Sequence, residues 1–376
     1  MDDVYQKSLE LHKKHGGKLE VGGKVPLKDK SDLALAYTPG VAEVARAIGK
    51  NKNDAYEYTI KRNSVAVVSD GSAILGLGNL GPEAAIPVME GKALLFKELA
   101  GIDAFPICLA TQDVEEIIAT VKNIAPVFGG INLEDIAAPR CFEIERRLKE
   151  ELDIPVMHDD QWGSAVVVLA GLVNALKLRG SRKDDVKIVI NGAGAAGTSI
   201  AKILSEYGFG DITVCDSKGI ISSARNDLNE YKRELAKLTK KPSGNLGSAV
   251  KGSDVLIGVS KAGLFSAEMV KSMNKNPIVF ALANPIPEIM PDEARRAGAF
   301  IVATGRSDFP NQVNNSLAFP GIFRGALDNK VRQITMPMLL RAAENLANYV
   351  KNLKPENILP SSLDKYVVPE ISKAIK

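Results

Sequence analysis

Four acidic residues lie where two apolar segments of the chain end. VFGGINLED ends in Glu134 and Asp135, and IPVMHDD ends in Asp159 and Asp160. Acids that follow neighbouring parallel strands meet at one edge of a sheet, and there they repel one another unless a cation neutralises them. The sequence therefore predicts a site for Mg²⁺ or Mn²⁺, which prefer oxygen ligands. The alternative is that each acid only caps the helix after it. We do not assign the adjacent His158 as a ligand.

A glycine-rich turn carries the second chemical signal. In KIVINGAGAAGTSIAKIL, an apolar strand pattern runs into Gly192, Gly194 and Gly197 at G-x-G-x-x-G spacing, and helical spacing follows at once. Such a turn, completed here by Ala195 and Ala196, lets backbone N–H groups at the start of a helix approach a pyrophosphate. The sequence therefore predicts a dinucleotide site, the alternative being glycines that only form a turn.

Asp216 bears on which dinucleotide binds. It closes the next predicted strand, about 20 residues after Gly197, where a carboxylate accepts hydrogen bonds from the adenosine ribose and repels a 2'-phosphate. This favours NAD over NADP. Ser217 and Lys218 follow directly. Together they could accommodate the 2'-phosphate, so NADP remains an alternative.

Two side chains are candidates for acid–base chemistry, and three amides are candidates for binding substrate. Lys92 has apolar neighbours in PVMEGKALLFKEL, and a desolvated lysine has a lowered pKa and can act as a general base. Tyr37 precedes a Pro-Gly break that would aim its phenol into a cleft. Asn284, Asn314 and Asn315 could bind a carboxylate. On these residues alone, a solvated lysine, a packed tyrosine and turn-capping amides are the simpler interpretations.

The elements that position these residues form two rounds of strand–helix alternation, which predicts an α/β fold with parallel sheets. The first round includes apolar runs at 65–68 and 104–107 and helical spacing at 114–121. The second begins at Lys187, with KIVINGAG, ITVCD, DVLIGVS, PIVFALANP and AFIVATG as five strands. We predict an N-terminal α/β domain over residues 1–160 and a Rossmann-type, doubly wound domain over residues 161–376.

Helices are also predicted outside these two rounds. An amphipathic helix at 2–15 ends at a Gly-Gly pair, and a loop covers 16–30. The apolar segment 164–180 reads as one helix that leads from the first domain to the second. Further helices after Met336 are expected to pack back on the rest.

Composition excludes several classes of protein. A chain of 376 residues with 45% hydrophobic content can bury the cores of two domains. The net charge of +3, with no long basic run, argues against a nucleic-acid partner. The three cysteines form no CxxC pair, so a reducing compartment is expected rather than a disulfide framework or zinc knuckle. With no signal-peptide pattern and no apolar run of membrane-spanning length, we expect a cytoplasmic protein that does not bind a membrane.

Seven segments in collinear order, over about residues 33–340, resemble the malic enzyme family in its short prokaryotic form. They are AYTPGVAEV, VVSDGSAILGLGNLGPEAAIPVMEGKALLFKELAGIDAFPI, INLEDIAAP, MHDDQWGSAVVVLAG, NGAGAAGTSIAKIL, ALANPIPE and NNSLAFPGIFRGAL. The resemblance implies oxidative decarboxylation of malate to pyruvate and CO2 with reduction of NAD, assisted by Mg²⁺ or Mn²⁺, in a homodimer.

The resemblance also implies roles for individual residues. Tyr37 would be the general acid and Lys92 the general base. The implied metal ligands are Glu134, Asp135 and Asp160; Asp159 would lie beside the lysine, and Asn284 and Asn315 would contact the substrate, with Asn314 as a neighbour. One departure concerns Ala73, because larger family members have a carboxylate-binding arginine at this point of the DG-x-R-ILGLG segment. A backbone N–H between residues 76 and 81, or a partner subunit, must then bind that carboxylate.

Three other functions compete with this interpretation. Malolactic activity and malate dehydrogenase action without decarboxylation belong to the same enzyme class. A non-catalytic NAD-binding regulatory subunit would explain the glycine turn but would leave Lys92 and the acids without a role.

Overall fold

The computed structural model describes residues 2–376, and four α-helices precede its first strand. A predicted helix is confirmed as α1 (Asp2–His15). It is followed by α2 (Lys30–Ala36), α3 (Val41–Lys50) and α4 (Ala55–Tyr58). No residue between 3 and 63 is buried, although this segment carries many apolar side chains.

The first sheet has four parallel strands in the order β2-β1-β3-β4. The strands are β1 (Ser64–Ser69), β2 (Asp103–Cys108), β3 (Gly130–Leu133) and β4 (Val156–His158), and the connecting helices are α5 (Pro82–Ala100), α6 (Val114–Ile124) and α7 (Arg140–Glu151). Every residue of β1, β3 and β4 is buried, as expected of a parallel sheet covered on both faces. The carboxyl ends of β1, β3 and β4 are neighbours, so the residues after these strands share one edge.

One long helix, α8 (Asp159–Arg179), leads from the first sheet into the second half. It begins five residues before the predicted start at 164, because Asp159 and Asp160 form its first turn instead of ending the strand. Among the described residues it is the one helix long and apolar enough to cross a membrane, but 72% of its most apolar window is buried inside the protein. This burial is typical of a core helix.

The second sheet has six strands in the order β10-β9-β8-β5-β6-β7. Five strands were predicted and are confirmed: β5 (Lys187–Asn191), β6 (Asp211–Asp216), β8 (Val255–Gly258), β9 (Ile278–Ala281) and β10 (Ile301–Thr304). The sixth, β7 (Gly219–Ile220), was not predicted because two residues carry no periodicity. It pairs antiparallel with β6 at the edge. The sheet is doubly wound, and the order reverses beside β5.

The helices of the second half cover this sheet and then return to the first. Those between its strands are α9 (Ala195–Glu206), α10 (Glu230–Leu238), α11 (Leu246–Val250), α12 (Ala267–Lys271) and α13 (Pro291–Arg296); α14 (Phe319–Asp328), α15 (Met336–Tyr349) and α16 (Val367–Ser372) close the chain. Of the helices predicted after Met336, α15 packs against α8, and α16 packs against α14. The α14 rings of Phe319 and Phe323 contact Phe96 of α5, with centroid distances of 4.7 and 5.5 Å.

Candidate active site

Three of the four predicted acids meet at the carboxyl edge of the first sheet. One carboxylate oxygen from each of Glu134, Asp135 and Asp160 lies within 4.8 Å of the other two. Asp135 has a left-handed backbone, with φ of 53°, and its N–H donates to Asp160 Oδ2 at 2.9 Å. Asp135 Oδ2 is buried and has no hydrogen-bond partner among the described residues. The three carboxylates offer oxygen ligands, and one buried oxygen lacks a hydrogen-bond partner. Both features fit a site for Mg²⁺ or Mn²⁺.

The helix-capping alternative does not describe these acids. Pro139 and His158 occupy the N-cap positions of α7 and α8, and neither helix has a side-chain cap. Burial, together with the nearby carboxylates of Asp160 and Glu134, raises the pKa of Asp135 to about 9. Mutual repulsion of this kind is what a bound cation relieves.

Lys92 of α5 lies beside the acid cluster. Its Nζ is 2.5 Å from Asp159 Oδ2 and 2.9 Å from Glu134 Oε1. The same nitrogen donates to Asn315 Oδ1 at 3.4 Å and lies 4.3 Å from the centroid of the Phe319 ring. The structure therefore brings the predicted base, its predicted neighbour Asp159, one predicted metal ligand and one predicted substrate amide into direct contact.

The expected lowering of the Lys92 pKa is wrong. Burial does act to lower the pKa of Lys92, but the carboxylates of Asp159 and Glu134 outweigh burial and raise the pKa above its usual value. The residues next to Lys92 in sequence are apolar, but the carboxylates that contact it lie elsewhere in the chain. Glu134 follows β3, and Asp159 begins α8.

Sequence reasoning missed two residues that support the cluster. Asn132 precedes Glu134 by two positions on β3, so both side chains lie on one face, and Asn132 Nδ2 donates to Glu134 Oε2 at 2.9 Å. Gly163 lies one turn after Asp159 on α8, and a Cβ added there would stand 1.8 Å from Asp159 Oδ1. A glycine inside a long apolar helix was the available signal.

A loop over residues 70–81 borders the cluster. The N–H of Ala73 donates to the carbonyl oxygen of Asp135 at 2.9 Å, which ties the loop to a predicted ligand. Arg140 was also missed; it donates to the buried carboxylate of Asp70 at 3.1 Å, and its Nε is buried without a partner among the described residues. A guanidinium group thus lies beside the segment in which residue 73 is alanine.

The predicted glycine turn joins β5 to α9 at the reversal point of the second sheet. Gly192 has φ of 125°, and a Cβ on Gly197 would meet the Gly192 carbonyl oxygen at 1.8 Å. Gly194 is the N-cap of α9 without a side-chain cap, and space around its Cβ position is open. The N–H groups of the first turn, at Ala195 and Ala196, are therefore left for a ligand, and the turn fits a dinucleotide pyrophosphate.

Asp216 ends β6, as predicted, but its carboxylate already has cationic partners. It accepts hydrogen bonds from Arg225 at 2.7 and 3.1 Å and from Lys232 at 2.6 Å. Although burial acts to raise the pKa of Asp216, hydrogen bonds from Arg225 and Lys232 lower it to about 2. The sequence pattern did not single out these two cations, because they come from a loop and from α10.

The remaining predicted residues lie outside the contacts of Lys92. Tyr37, at the end of α2, is 64% exposed, and its hydroxyl makes no hydrogen bond in the described part of the chain. Asn284 is exposed after β9, and its carbonyl oxygen would lie 2.8 Å from a Cβ on Gly76, so the loop of the first half touches the second half here. Asn314 caps a short 3-10 helix through Ser316 N–H.

Known proteins match both halves of the chain. The N-terminal domain of malic enzymes matches residues 16–149, and the NAD binding domain of malic enzymes matches residues 162–375. A bifunctional malic/malolactic enzyme of Bacillus subtilis is 56% identical, over 98% of this chain and 92% of that protein. An NAD-dependent malic enzyme of Geobacillus stearothermophilus is also 56% identical, over 96% of this chain and 76% of that protein.

A solved structure has the same fold over its full length. The crystal structure of an NAD-dependent malic enzyme from Thermotoga maritima superposes with a TM-score of 0.94 at 52% sequence identity, covering 98% of both chains. The two domain matches, the close relatives and the contacts of Lys92 with the acid cluster agree: this chain belongs to the malic enzyme family.

Proposed function

We propose that this protein oxidises malate with NAD and removes CO2 to release pyruvate, with the help of a divalent metal. One observation carries the proposal. Lys92 Nζ contacts both Asp159 and Glu134, and Glu134 belongs to a cluster of three carboxylates suited to a metal. A proton-transfer group and a Lewis-acid site are therefore adjacent, as oxidation of an alcohol next to a carboxylate and loss of CO2 require.

Glu134, Asp135 and Asp160 would hold Mg²⁺ or Mn²⁺. A bound cation supplies Lewis-acid stabilisation of negative charge on the C2 oxygen of the substrate. NAD, bound at the turn around Gly192 and Gly194, supplies the hydride acceptor. The residues of this chain supply binding, orientation and proton transfer.

Lys92 performs the first proton transfer in this proposal. Its Nζ accepts the proton of the C2 hydroxyl, for which the amine must be neutral. The charges of Glu134 and Asp160 contribute to the raised pKa of Lys92. A cation held by these carboxylates would offset that effect and favour the neutral amine. Asp159 and Asn315 hold Nζ in place. Tyr37 then donates its hydroxyl proton to C3 after CO2 has left.

The decisive experiment is a malate assay with NAD or NADP, run with and without a chelator. Metal-dependent formation of NADH, CO2 and pyruvate is expected. Oxaloacetate without CO2 would instead indicate malate dehydrogenase action, and lactate would indicate malolactic action, which appears in the name of the Bacillus subtilis relative. Dinucleotide binding without turnover would identify a regulatory subunit.

Metal binding is expected to stabilise the protein more at high pH. Free aspartate titrates near pH 4, whereas Asp135 without metal titrates near 9. The folded metal-free protein therefore keeps a proton that the unfolded chain releases, and stability falls as pH rises between these values. Since protons and metal compete for this carboxylate, the rise in Tm caused by MgCl2 should be larger at about pH 8.5 than at about pH 6.

Thermal unfolding with and without MgCl2 measures this effect. Asp135→Asn removes both the titrating carboxylate and a metal ligand, so the Tm shift caused by MgCl2 should be small at both pH values in this variant. An equal Tm shift at both pH values in the unchanged protein would contradict the prediction.

The proposed assembly is a homodimer in the cytoplasm. No residue in the range 3–63 is fully buried, and many of its apolar side chains are exposed. An exposed apolar surface marks a protein interface. A second copy is the proposed occupant, since most soluble oligomers are symmetric dimers. The exposed apolar residues include Val4, Leu9, Leu11, Leu33, Leu35, Val41 and Val44. The three cysteines are unpaired, in keeping with a reducing compartment.

A dimer also explains how exposed Tyr37 can act as an acid, if it enters the site of the partner subunit. Tyr37→Phe and Lys92→Met should each be inactive alone, because each lacks one proton-transfer group. When the two variants are unfolded together and refolded, mixed dimers should contain one intact site, restoring about a quarter of the wild-type rate. The recovered rate is measured with malate and NAD. No recovery despite mixed dimers would place Tyr37 in the site of its own chain.

A further inference from the structure

The carboxylate of Asp216 has no free acceptor position for a ribose. A carboxylate offers about four lone-pair sites. Asp216 uses one for Lys218 N–H at 2.9 Å, two for Arg225 and one for Lys232. Its side chain is 8% exposed. The ribose diol of NAD must therefore displace a cation before it can bind Asp216, which weakens the expected selection against a phosphate.

The surrounding charges favour an anion. Arg225 also binds Asp227 at 2.9 Å, and Lys218 binds the same carboxylate at 2.7 Å. Lys218, Arg225 and Lys232 thus supply three positive charges against the two negative charges of Asp216 and Asp227. The group keeps one excess positive charge at the end of β6, where the adenosine ribose lies in this fold.

We propose that Arg225 and Lys232 form a subsite for the 2'-phosphate of NADP, so that the enzyme accepts NADP as well as NAD. The inference rests on the proposed dinucleotide site and names two residues that determine its specificity. Arg225 has a planar fork that binds a phosphate bidentately, and Lys232 adds a second charge. With NADP bound, both cations turn from Asp216 to the phosphate, while Asp227 continues to hold Arg225.

Binding of two small probes tests the subsite without any turnover. Adenosine 2',5'-bisphosphate carries the 2'-phosphate, and 5'-AMP lacks it, so calorimetry with both isolates the contribution of that group. The unchanged protein should bind the bisphosphate at least about tenfold more tightly than 5'-AMP, the effect of one or two charged hydrogen bonds. The preference should shrink with added salt. Equal affinity for the two probes would overturn the proposal.

Three variants show whether the named side chains are responsible. Arg225→Gln and Lys232→Gln should each remove most of the preference for the bisphosphate and change the Kd of 5'-AMP less than about threefold. Asp216→Asn should increase the preference, because it releases both cations. Arg233→Gln, an exposed arginine beside Lys232 on α10, is the control and should change neither Kd.

The outcomes separate this inference from the proposed function. Equal weakening of both probes by Arg225→Gln and Lys232→Gln would show a purely structural role and overturn the subsite. Malate oxidation with NAD but no preference for the bisphosphate would leave the function standing and reject the inference. Selective bisphosphate binding without malate oxidation would leave the subsite standing and reject the function. In the full reaction, Arg225→Gln should lower the ratio of kcat/KM with NADP to kcat/KM with NAD, whereas Arg233→Gln should leave both values unchanged.

Discussion

Lys92→Met is expected to lower kcat for malate oxidation by about a thousandfold, the usual contribution of a general base. Methionine fills nearly the same space and keeps contact with the Phe319 ring, so the loss reflects the missing amine. Steady-state kinetics with saturating malate, NAD and MgCl2 measure it. Lys97→Met is the matched control, since Lys97 lies on the same helix and pairs at the surface with Asp103; its kcat should stay near that of the unchanged protein.

The same variant should also be less stable without metal. Lys92 is the cation in contact with the buried carboxylates of Asp159 and Glu134, and removing one partner of a buried ion pair leaves uncompensated charge. The Tm of Lys92→Met should therefore fall in chelator and recover in part with MgCl2. Full turnover by a correctly folded Lys92→Met protein would reject the assignment of Lys92 as the base.

Gly163→Ala is expected to lower kcat about a hundredfold, because misplacing a catalytic group by about 1 Å has an effect of this size. The new Cβ would stand 1.8 Å from Asp159 Oδ1, so the carboxylate of Asp159 must move, and its 2.5 Å contact with Lys92 through Oδ2 is disturbed. Alanine is the better helix former by about 1 kcal/mol, so helix propensity alone cannot cause the loss. Kinetics and circular dichroism together measure both effects.

Gly171→Ala on the same helix is the control for Gly163→Ala. A Cβ at residue 171 meets only the side chains of Leu359 and Phe280, at 3.3 to 3.5 Å, and lies two turns from the site. This variant should keep its kcat, with a change in Tm that reflects packing alone. Unchanged kcat in Gly163→Ala would show that the position of Asp159 tolerates a shift, contrary to the proposed role of this carboxylate in holding Lys92.

Local patterns predicted the parts of the site that a single segment defines. The turn at Gly192 follows from a glycine spacing directly after an apolar strand, and the meeting of Glu134, Asp135 and Asp160 follows from parallel strands that end at one edge. The glycine turn and the acid cluster could be predicted from short sequence segments. The only further rule needed is that parallel strands present their carboxyl ends at the same edge of a sheet. The five strands of the second sheet were predictable for the same reason.

The rest depended on contacts between segments far apart in the chain. The partners of Lys92 come from β3, α8 and the segment before α14, so its apolar sequence neighbours gave the wrong direction for its pKa. Arg225 and Lys232 reach Asp216 from a loop and a helix that carry no motif. Tyr37 lies in a segment that buries nothing in its own chain, so no rule of intrachain packing could define its surroundings.

Helix α8 has a consequence for how the two halves can vary. Its first turn carries Asp159 and Asp160, and its body packs against α9, the helix that starts at the glycine turn. An α-helix advances 1.5 Å and rotates about 100° for each residue. A single residue inserted within α8 would thus rotate Asp159 and Asp160 by about 100° relative to α9 and its glycine turn. The position of the acids relative to the glycine turn therefore depends on a fixed number of residues in α8.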